Sequence, residues 1–256
     1  METKKIFLIF CILGTSVCSF SQQDLAKTLI QAPTSMPGSS DYVLSNKLRS
    51  AGNYKGNIRG PGDPLYFGVN GNPFFINTFL KSDVFANDGK IFSDVPLKYD
   101  ACNDMVLIIN NNDTLTLDKT KIKSFILKNS SSDKKYYFEL ASADPEKAGK
   151  EDVHFLEVAY RGKTAFLIRH HKELALANFD PTFSTGSNYD EYSINNSYYL
   201  KNQLNETVKI KLNKKTILEA LKDRKNEIKL FVSSNKLSYD TEQHAIRIFE
   251  FYDSLK

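Results

Sequence analysis

The chain has 256 residues, of which 41% are hydrophobic and 25% are charged, a composition that is typical of a folded globular protein and excludes a disordered one. Its net charge of +4 is too small to indicate a nucleic-acid-binding protein, so we expect no nucleic-acid partner. Beyond the amino terminus no apolar run approaches the ~20 residues of a transmembrane helix, so we expect no membrane-spanning segment in the mature chain.

Residues 1–21 are predicted to be a cleavable signal peptide. Lys4 and Lys5 provide a short positive region, and the apolar run 6–17 that follows is too short for a permanent membrane helix. Ser19 and Ser21 then place small residues at the positions that favour cleavage after Ser21. We therefore expect an exported protein that is periplasmic or secreted.

Cys18 offers an alternative, lipoprotein processing, in which the acylated thiol anchors the protein to a membrane. We favour the ordinary signal peptide, because Val17 precedes Cys18 where lipoproteins have a small residue and Thr15 stands where they usually have leucine. Cleavage after Ser21 leaves Cys102 as the single cysteine, which excludes an intrachain disulfide.

Residues 22–73 are predicted to form an irregular lead-in that is rich in glycine and proline. Clusters such as Gly60-Pro61-Gly62 exclude long regular elements. Apolar spacing predicts two brief helices within this lead-in, at residues 24–31 and 41–50.

Residues 74–212 are predicted to form an antiparallel β body. Short apolar alternations are separated by turn residues about every eight to twelve positions, which is typical of an antiparallel sheet. Asp88-Gly89 predicts a tight hairpin, since these residues adopt the positive backbone angles that such turns require. We expect a mainly β or α+β fold, with a twisted antiparallel sheet or an open barrel-like meander.

The best-defined hairpin lies within residues 153–170 and is predicted to turn at Arg161-Gly162. A two-residue loop there would place Leu156 opposite Leu167. Both faces of the hairpin are apolar, so its strands should lie away from the edges of the sheet.

Residues 213–256 are predicted to form a short helical tail. Asn213 can cap the first helix, and Asp240 with Gln243 forms a capping box before the last one. Each helix is too short to be stable alone, so the helices must pack on the sheet or on one another.

Five short motifs follow one another along the chain. They are Gly71-Asn72-Pro73-Phe74, Gly89-Lys90-Ile91-Phe92, Pro96-Leu97-Lys98-Tyr99-Asp100, Asn103-Asp104 and, in the tail, Asn235-Lys236-Leu237-Ser238. With these motifs the chain resembles a group of uncharacterised exported bacterial proteins. Members of that group share a tight hairpin, a strand that ends in an aromatic residue, and a helical tail. The resemblance implies export and a sheet with a tail, and it implies no activity and no site residue.

The chain contains no motif that indicates a catalytic, cofactor-binding or metal-binding site. There is no nucleophile elbow, no Cys-x-x-Cys pair, no phosphate-binding glycine loop and no His-Glu-x-x-His helix. His154 and His171 are predicted to share a face of the hairpin, where they could bind zinc with a carboxylate, whereas His170 points to the opposite side. Arg169 on the same face argues against the metal, because its charge would repel the cation. We therefore expect no catalytic residue, no cofactor and no metal site.

Tyrosine is concentrated in one polar stretch of the chain. Tyr189, Tyr192, Tyr198 and Tyr199 are interpreted as a candidate partner surface, because amphipathic tyrosines in such loops suit contact with a protein or a glycan. Tyrosines that anchor loops to the sheet are the simpler alternative.

Export and the lack of a catalytic constellation favour a non-enzymatic binding or structural component of the bacterial envelope. Its partner would be an envelope protein or a glycan, and the sequence indicates no oligomeric state. The alternative is a periplasmic hydrolase whose site is assembled from residues distant in sequence, such as Glu157 with a histidine.

Overall fold

The computed structural model describes residues 22–30, 63–110, 113–142 and 153–255. The predicted signal peptide with Cys18 and the predicted helix at 41–50 lie outside these residues.

Within the described residues the chain forms thirteen strands and four α-helices. The helices are α1 (Gln22–Leu29), α2 (Lys214–Ala220), α3 (Lys225–Ser234) and α4 (Glu242–Ser254). The strands are β1 (Val69–Asn70), β2 (Leu80–Ala86), β3 (Ile91–Asp100), β4 (Met105–Asn110), β5 (Asp113–Thr116), β6 (Ile122–Asn129), β7 (Lys134–Ser142), β8 (Val153–Arg161), β9 (Ala165–Arg169), β10 (Lys172–Ala175), β11 (Asp190–Ile194), β12 (Ser197–Lys201) and β13 (Thr207–Ile210).

Ten of these strands form one antiparallel sheet that is not closed, which confirms the predicted mainly β fold with a helical C-terminal segment. The strand order is β13-β12-β9-β8-β7-β6-β2-β3-β4-β5. A small second sheet has the order β1-β11-β10, with β1 parallel to β11. Sequence analysis missed this small sheet, because its strands have two to five residues and too little alternation to be recognised.

The first core lies between α1 and strands β2 to β8. Phe125 and Phe138 stack at its centre with ring centroids 4.8 Å apart. Leu25 and Leu29 of α1 are buried in the same cluster, so the predicted helix at 24–31 is confirmed and its apolar face completes this core. The buried residues of the first core are Leu25, Leu29, Val84, Ala86, Phe92, Val95, Leu97, Tyr99, Ala101, Val106, Ile108, Leu117, Ile122, Phe125, Leu127, Phe138 and Phe155.

The second core lies between strands β9, β12 and β13 and the three C-terminal helices. Asn213 caps α2 as predicted, with its Oδ1 accepting a hydrogen bond from Thr216 N at 2.9 Å. The cap of α4 is Thr241 rather than the predicted Asp240, because Thr241 Oγ1 accepts the bond from His244 N. The buried residues of the second core are Phe166, Ile168, Leu200, Ile210, Ile217, Leu218, Leu221, Ile228, Val232, Ala245, Ile248 and Phe249.

The predicted register of the hairpin formed by β8 and β9 is wrong. Val158, not Leu156, lies opposite Leu167, so the pairing is displaced by two residues, and the turn occupies residues 162–164. Before the bulge the shift by two keeps side chains on their predicted faces, which is why Leu156 and Leu167 still share a cluster. Beyond the bulge the shift is three, so Tyr160 lies opposite Phe166 on the other face. Both strands lie inside the sheet, as predicted.

A β-bulge at Ala159 separates the two halves of β8. Val158 lies opposite Leu167 and Tyr160 opposite Phe166, so Ala159 has no residue facing it. A bulge bends its strand and increases the local twist. Phe155, before the bulge, is buried in the first core, whereas Ala159 and Tyr160 pack against the second. Strand β8 therefore belongs to both cores.

Asp253 on α4 holds the end of β8 against the C-terminal helices. Its Oδ2 accepts hydrogen bonds from Tyr160 Oη at 2.9 Å and from Thr164 N at 2.8 Å. A Cβ atom at Gly162 would lie 2.2 Å from Tyr160 Oη and 2.4 Å from Asp253 Oδ2. Glycine is therefore required at this turn by the close approach of two side chains.

Gly162→Ala is expected to lower the free energy of unfolding by about 1–3 kcal/mol, because the added methyl group separates Tyr160 Oη from Asp253 Oδ2. In a Tyr160→Phe background the same change should be less costly, since the hydroxyl group is already absent. Chemical denaturation of the four proteins of this double-mutant cycle measures both costs. Equal costs in the two backgrounds would show that the hydrogen bond to Asp253 does not hold the turn.

Candidate functional site

The four tyrosines interpreted as a partner surface do not form one exposed surface. Tyr192 and Tyr199 are buried, with 8% and 2% of their surface exposed. Tyr198 donates a hydrogen bond to Glu242 Oε1 of α4 at 3.1 Å, and burial together with this carboxylate raises the pKa of Tyr198 to about 12. Tyr189 is exposed at 38%. Three of the four thus anchor chain segments, and they give no support to a partner surface built from the set.

The chain has four histidines, all among the described residues, and each contacts an oxygen of another side chain. The contacts are His154 Nδ1 to Asp104 Oδ2 at 2.9 Å, His170 Nε2 to Glu157 Oε2 at 2.5 Å, His171 Nε2 to Glu173 Oε1 at 3.7 Å and His244 Nδ1 to Ser238 Oγ at 2.8 Å. His154 and His171 therefore contact different carboxylates. Among the residues that the structure describes, no group of three or more His, Cys, Asp or Glu side chains could hold a metal ion.

Asp104 binds four donors at the edge of the first core. Its Oδ1 accepts from Tyr99 Oη at 2.8 Å and from Phe155 N at 3.3 Å, while Oδ2 contacts His154 and the Lys119 ammonium. Burial alone would raise the pKa of Asp104, but the hydrogen bonds from His154 and Lys119 outweigh it and hold this pKa below its ordinary value. These donors surround one carboxylate, so the Asp104 cluster stabilises the chain.

Glu157 and His170 form a second carboxylate–histidine contact, and this one combines residues that the hydrolase hypothesis named. Their side chains are 10% and 11% exposed. The His170 ring packs 4.5 Å from the Phe75 centroid and 6.0 Å from that of Phe138. The aromatic rings cover the imidazole, while Glu157 reaches the wall of a cleft.

This cleft opens where the ladder between β7 and β8 ends. The two strands pair over five positions, from Ser142 opposite Val153 to Phe138 opposite Glu157. Beyond that point residues 134–137 pair only with β6, and the end of β8 pairs only with β9, as far as the described chain shows. A cavity of about 630 Å³ is lined by both of these segments. We call this space the β7–β8 cleft.

Two restraints keep the walls of the β7–β8 cleft apart. Strand β7 is tied to β6 by six residue pairs that include its first residue, Lys134. The end of β8 is bent by the bulge at Ala159 and is held to α4 by the bond between Tyr160 and Asp253. If β7 and β8 continued to pair beyond Phe138 and Glu157, Tyr160 would have to leave the second core. The separation is thus built into the packing of the sheet.

The walls of the cleft combine apolar and charged side chains. Tyr137 is 48% exposed and lies on the β7 wall. Arg161 Nη2 contacts Glu139 Oε2 at 2.5 Å, so an ion pair joins the two walls near the surface. The described residues that line the cavity are Phe85, Ser124, Phe125, Ile126, Lys134, Lys135, Tyr137, Phe138, Glu139, Glu157, Val158, Ala159, Tyr160, Arg161 and Ile246.

The rim of the β7–β8 cleft is electropositive. Arg161 is paired with Glu139, and Glu157 contacts His170. Lys134 and Lys135 are exposed, and neither forms an ion pair with any carboxylate in the described part of the chain. The two lysines therefore add positive charge that the cleft itself does not balance.

Sequence analysis identified only Glu157 among the residues of this cleft. A gap between two strands leaves no motif, because its lining side chains alternate as in any other strand. The one signal available was the pair Lys134-Lys135 at the start of an otherwise apolar alternation. A charge pair in that position is more often a solvated strand end, so it does not indicate a site by itself.

Asp104→Asn is expected to lower the free energy of unfolding at pH 7 by about 1–3 kcal/mol, since the amide cannot pair with Lys119. Asn keeps the backbone intact, because it tolerates the positive φ of 54° at this position. The folded pKa of Asp104 is depressed, so its contribution is present above the unfolded value of about 3.9 and is lost as the pH falls through the folded pKa. Denaturation between pH 7 and pH 2 should show a shallower acid dependence in the variant. Identical slopes would contradict the assignment.

Comparison of the chain with protein-family models, with curated proteins and with solved structures gives no match. The resemblance to exported bacterial proteins therefore stays a prediction. In the part of the chain that the structure describes, no helix has the length and apolar character needed to cross a membrane.

Proposed function

We propose that this protein is a non-enzymatic binding protein of the bacterial envelope and that it holds its partner in the β7–β8 cleft. The observation that carries the proposal is the end of the strand ladder at Phe138 and Glu157, which leaves two walls held apart around a cavity of about 630 Å³. Binding sites are typically clefts of this size, with mostly apolar walls and a few placed polar groups.

Binding fits the described groups better than catalysis does. The Asp104 carboxylate is surrounded by its own donors, and Glu157 contacts the imidazole of His170, which is 11% exposed. Tyr137 and the two rim lysines, by contrast, are exposed to an incoming molecule. The groups that are accessible in the cleft are suited to contact and charge recognition.

Location in the envelope rests on the pattern of residues 1–21. A positive start, an apolar run and small residues before Gln22 favour export and cleavage. Mass spectrometry of the native protein should find a chain that begins at Gln22. A native product that retains Met1 would remove export from the proposal.

A periplasmic hydrolase is the second candidate, because Glu157 lines the cleft and lies 2.5 Å from His170. A carboxylate oriented by a histidine can act as a general base toward water. Turnover of reporter esters that Glu157→Gln abolishes would favour the hydrolase over the binding protein.

Replacing Tyr137 with photoreactive benzoylphenylalanine should crosslink the partner when the tagged mature chain is irradiated in native envelope extract. Tyr137 is 48% exposed within the cleft, so a bound molecule must pass close to it. The matched control is the same replacement at Phe183, an aromatic residue that is 75% exposed and does not line the cleft. Adducts at position 137 alone are expected. Adducts at neither position, or equal adducts at both, would refute binding in the cleft.

A further inference from the structure

The walls of the β7–β8 cleft are strand edges. Residues 134–137 are paired on the β6 side only, and the end of β8 is paired on the β9 side only, within the described chain. Alternate residues of a strand direct their N–H and C=O groups toward opposite neighbours. Each wall therefore directs backbone donors and acceptors into the cleft, where the ladder between the two strands has ended.

A strand edge that borders a cavity is suited to one kind of occupant. An extended peptide can continue the ladder by hydrogen bonding to the exposed edge, a mode in which backbone bonds provide affinity and side-chain contacts provide specificity. Residues 134–137 would present an edge of about 13 Å, at ~3.3 Å per residue. Unpaired backbone groups are costly when they are shielded from water, so their pairing by a peptide is favourable.

The charge on the rim defines the chemistry of that peptide. Lys134 and Lys135 have no carboxylate partner in the described chain, whereas Arg161 and Glu139 already neutralise each other. The Lys134 ammonium lies 4.4 Å from the Tyr136 ring centroid, which holds this charge at the wall. Lys134 and Lys135 are successive strand residues on opposite faces, so an acidic side chain that enters on either face would meet one unbalanced cation.

The cleft also offers apolar contacts to the other side chains of a bound strand. Ile126, Tyr137 and Val158 are partly or largely accessible and line the cavity from three strands. Successive residues of an extended peptide point to opposite sides. A peptide in which acidic and apolar residues alternate would place its acidic side chains on the face of Lys134. Its apolar side chains would lie on the opposite face, against the wall formed by Ile126, Tyr137 and Val158.

We infer that the β7–β8 cleft binds an extended peptide segment of a partner protein by strand addition, with alternating acidic and apolar side chains. This inference rests on the proposed binding function and adds the class of ligand to it. The backbone edges of β7 and β8 carry the hydrogen bonds, and Lys134 selects acidic side chains on its face of the sheet.

The test measures fluorescence polarisation of short labelled peptides in which acidic and apolar residues alternate. Wild-type protein should bind them and should discriminate against the same peptides with lysine in place of the acidic residues. Exchanging both rim lysines, as Lys134→Glu with Lys135→Glu, should weaken binding at least about tenfold, which corresponds to the loss of about 1.4 kcal/mol. The matched control, Lys214→Glu with Lys215→Glu on α2, makes the same change in charge at exposed residues outside the cleft and should leave binding unchanged.

Backbone recognition is tested separately with peptides that carry N-methyl groups at alternate residues. These peptides cannot donate to a strand edge and should bind at least about tenfold more weakly than the parent. Equal affinity of parent and methylated peptides, or equal loss in the control variant, overturns strand addition.

The crosslinking result distinguishes failure of this inference from failure of the proposed function. If position 137 crosslinks a partner but no acidic peptide binds, the cleft is a binding site for another ligand, such as a glycan, and strand addition is wrong. If neither experiment detects binding, both proposals are wrong.

Discussion

The structure depends on one constraint, that strand β8 is shared between two apolar cores. Its first half is buried with α1 and the aromatic rings around Phe138, and its second half packs with the C-terminal helices. A straight strand cannot satisfy both, so the bulge at Ala159 bends it. The bend separates β8 from β7, and Asp253 fixes the bent end. The cleft is therefore a consequence of the packing of β8 in both cores.

Two carboxylates at the first core are largely shielded from water, and each is stabilised by hydrogen-bonding partners. Asp104 receives four donors, and Glu157 is held by His170, so neither carboxylate is left without compensation. An uncompensated buried carboxylate would cost several kcal/mol. The histidines that first suggested metal or acid–base chemistry thus act in the structure as partners for carboxylates. What is left accessible in the cleft is a set of recognition groups.

Periodicity was sufficient to predict the sheet and its helical tail, because both depend on local alternation or spacing of apolar residues. The helix around Leu25 was predictable for the same reason, whereas the cap at Asn213 was predictable from its residue type. The hairpin register was not, since Ala159 has no feature that indicates a bulge, and Gly162 is required by its contact with Tyr160 and Asp253 rather than by a tight two-residue turn. Both the bulge at Ala159 and the need for glycine at position 162 depend on packing against residues that are distant in sequence.

The same reasoning explains why the candidate site could be predicted only in part. Glu157 was considered because it was predicted to share a face with Phe155 and Phe166, and a histidine partner was anticipated without a choice among the four. The cleft arises from the divergence of two strands, which no spacing of residues records. The tyrosines were misleading because an amphipathic ring suits an anchor as well as a surface, and three of the four are anchors.

Sharing β8 between two cores also determines how the molecule should respond to random substitution. A change in α1 or in β13 directly disturbs the packing of one core only. A change in the middle of β8 disturbs both at once, so its effects on the two halves are coupled. Strand β8 should therefore be the least mutable segment of the sheet and the element that makes two apolar clusters unfold as a single cooperative unit.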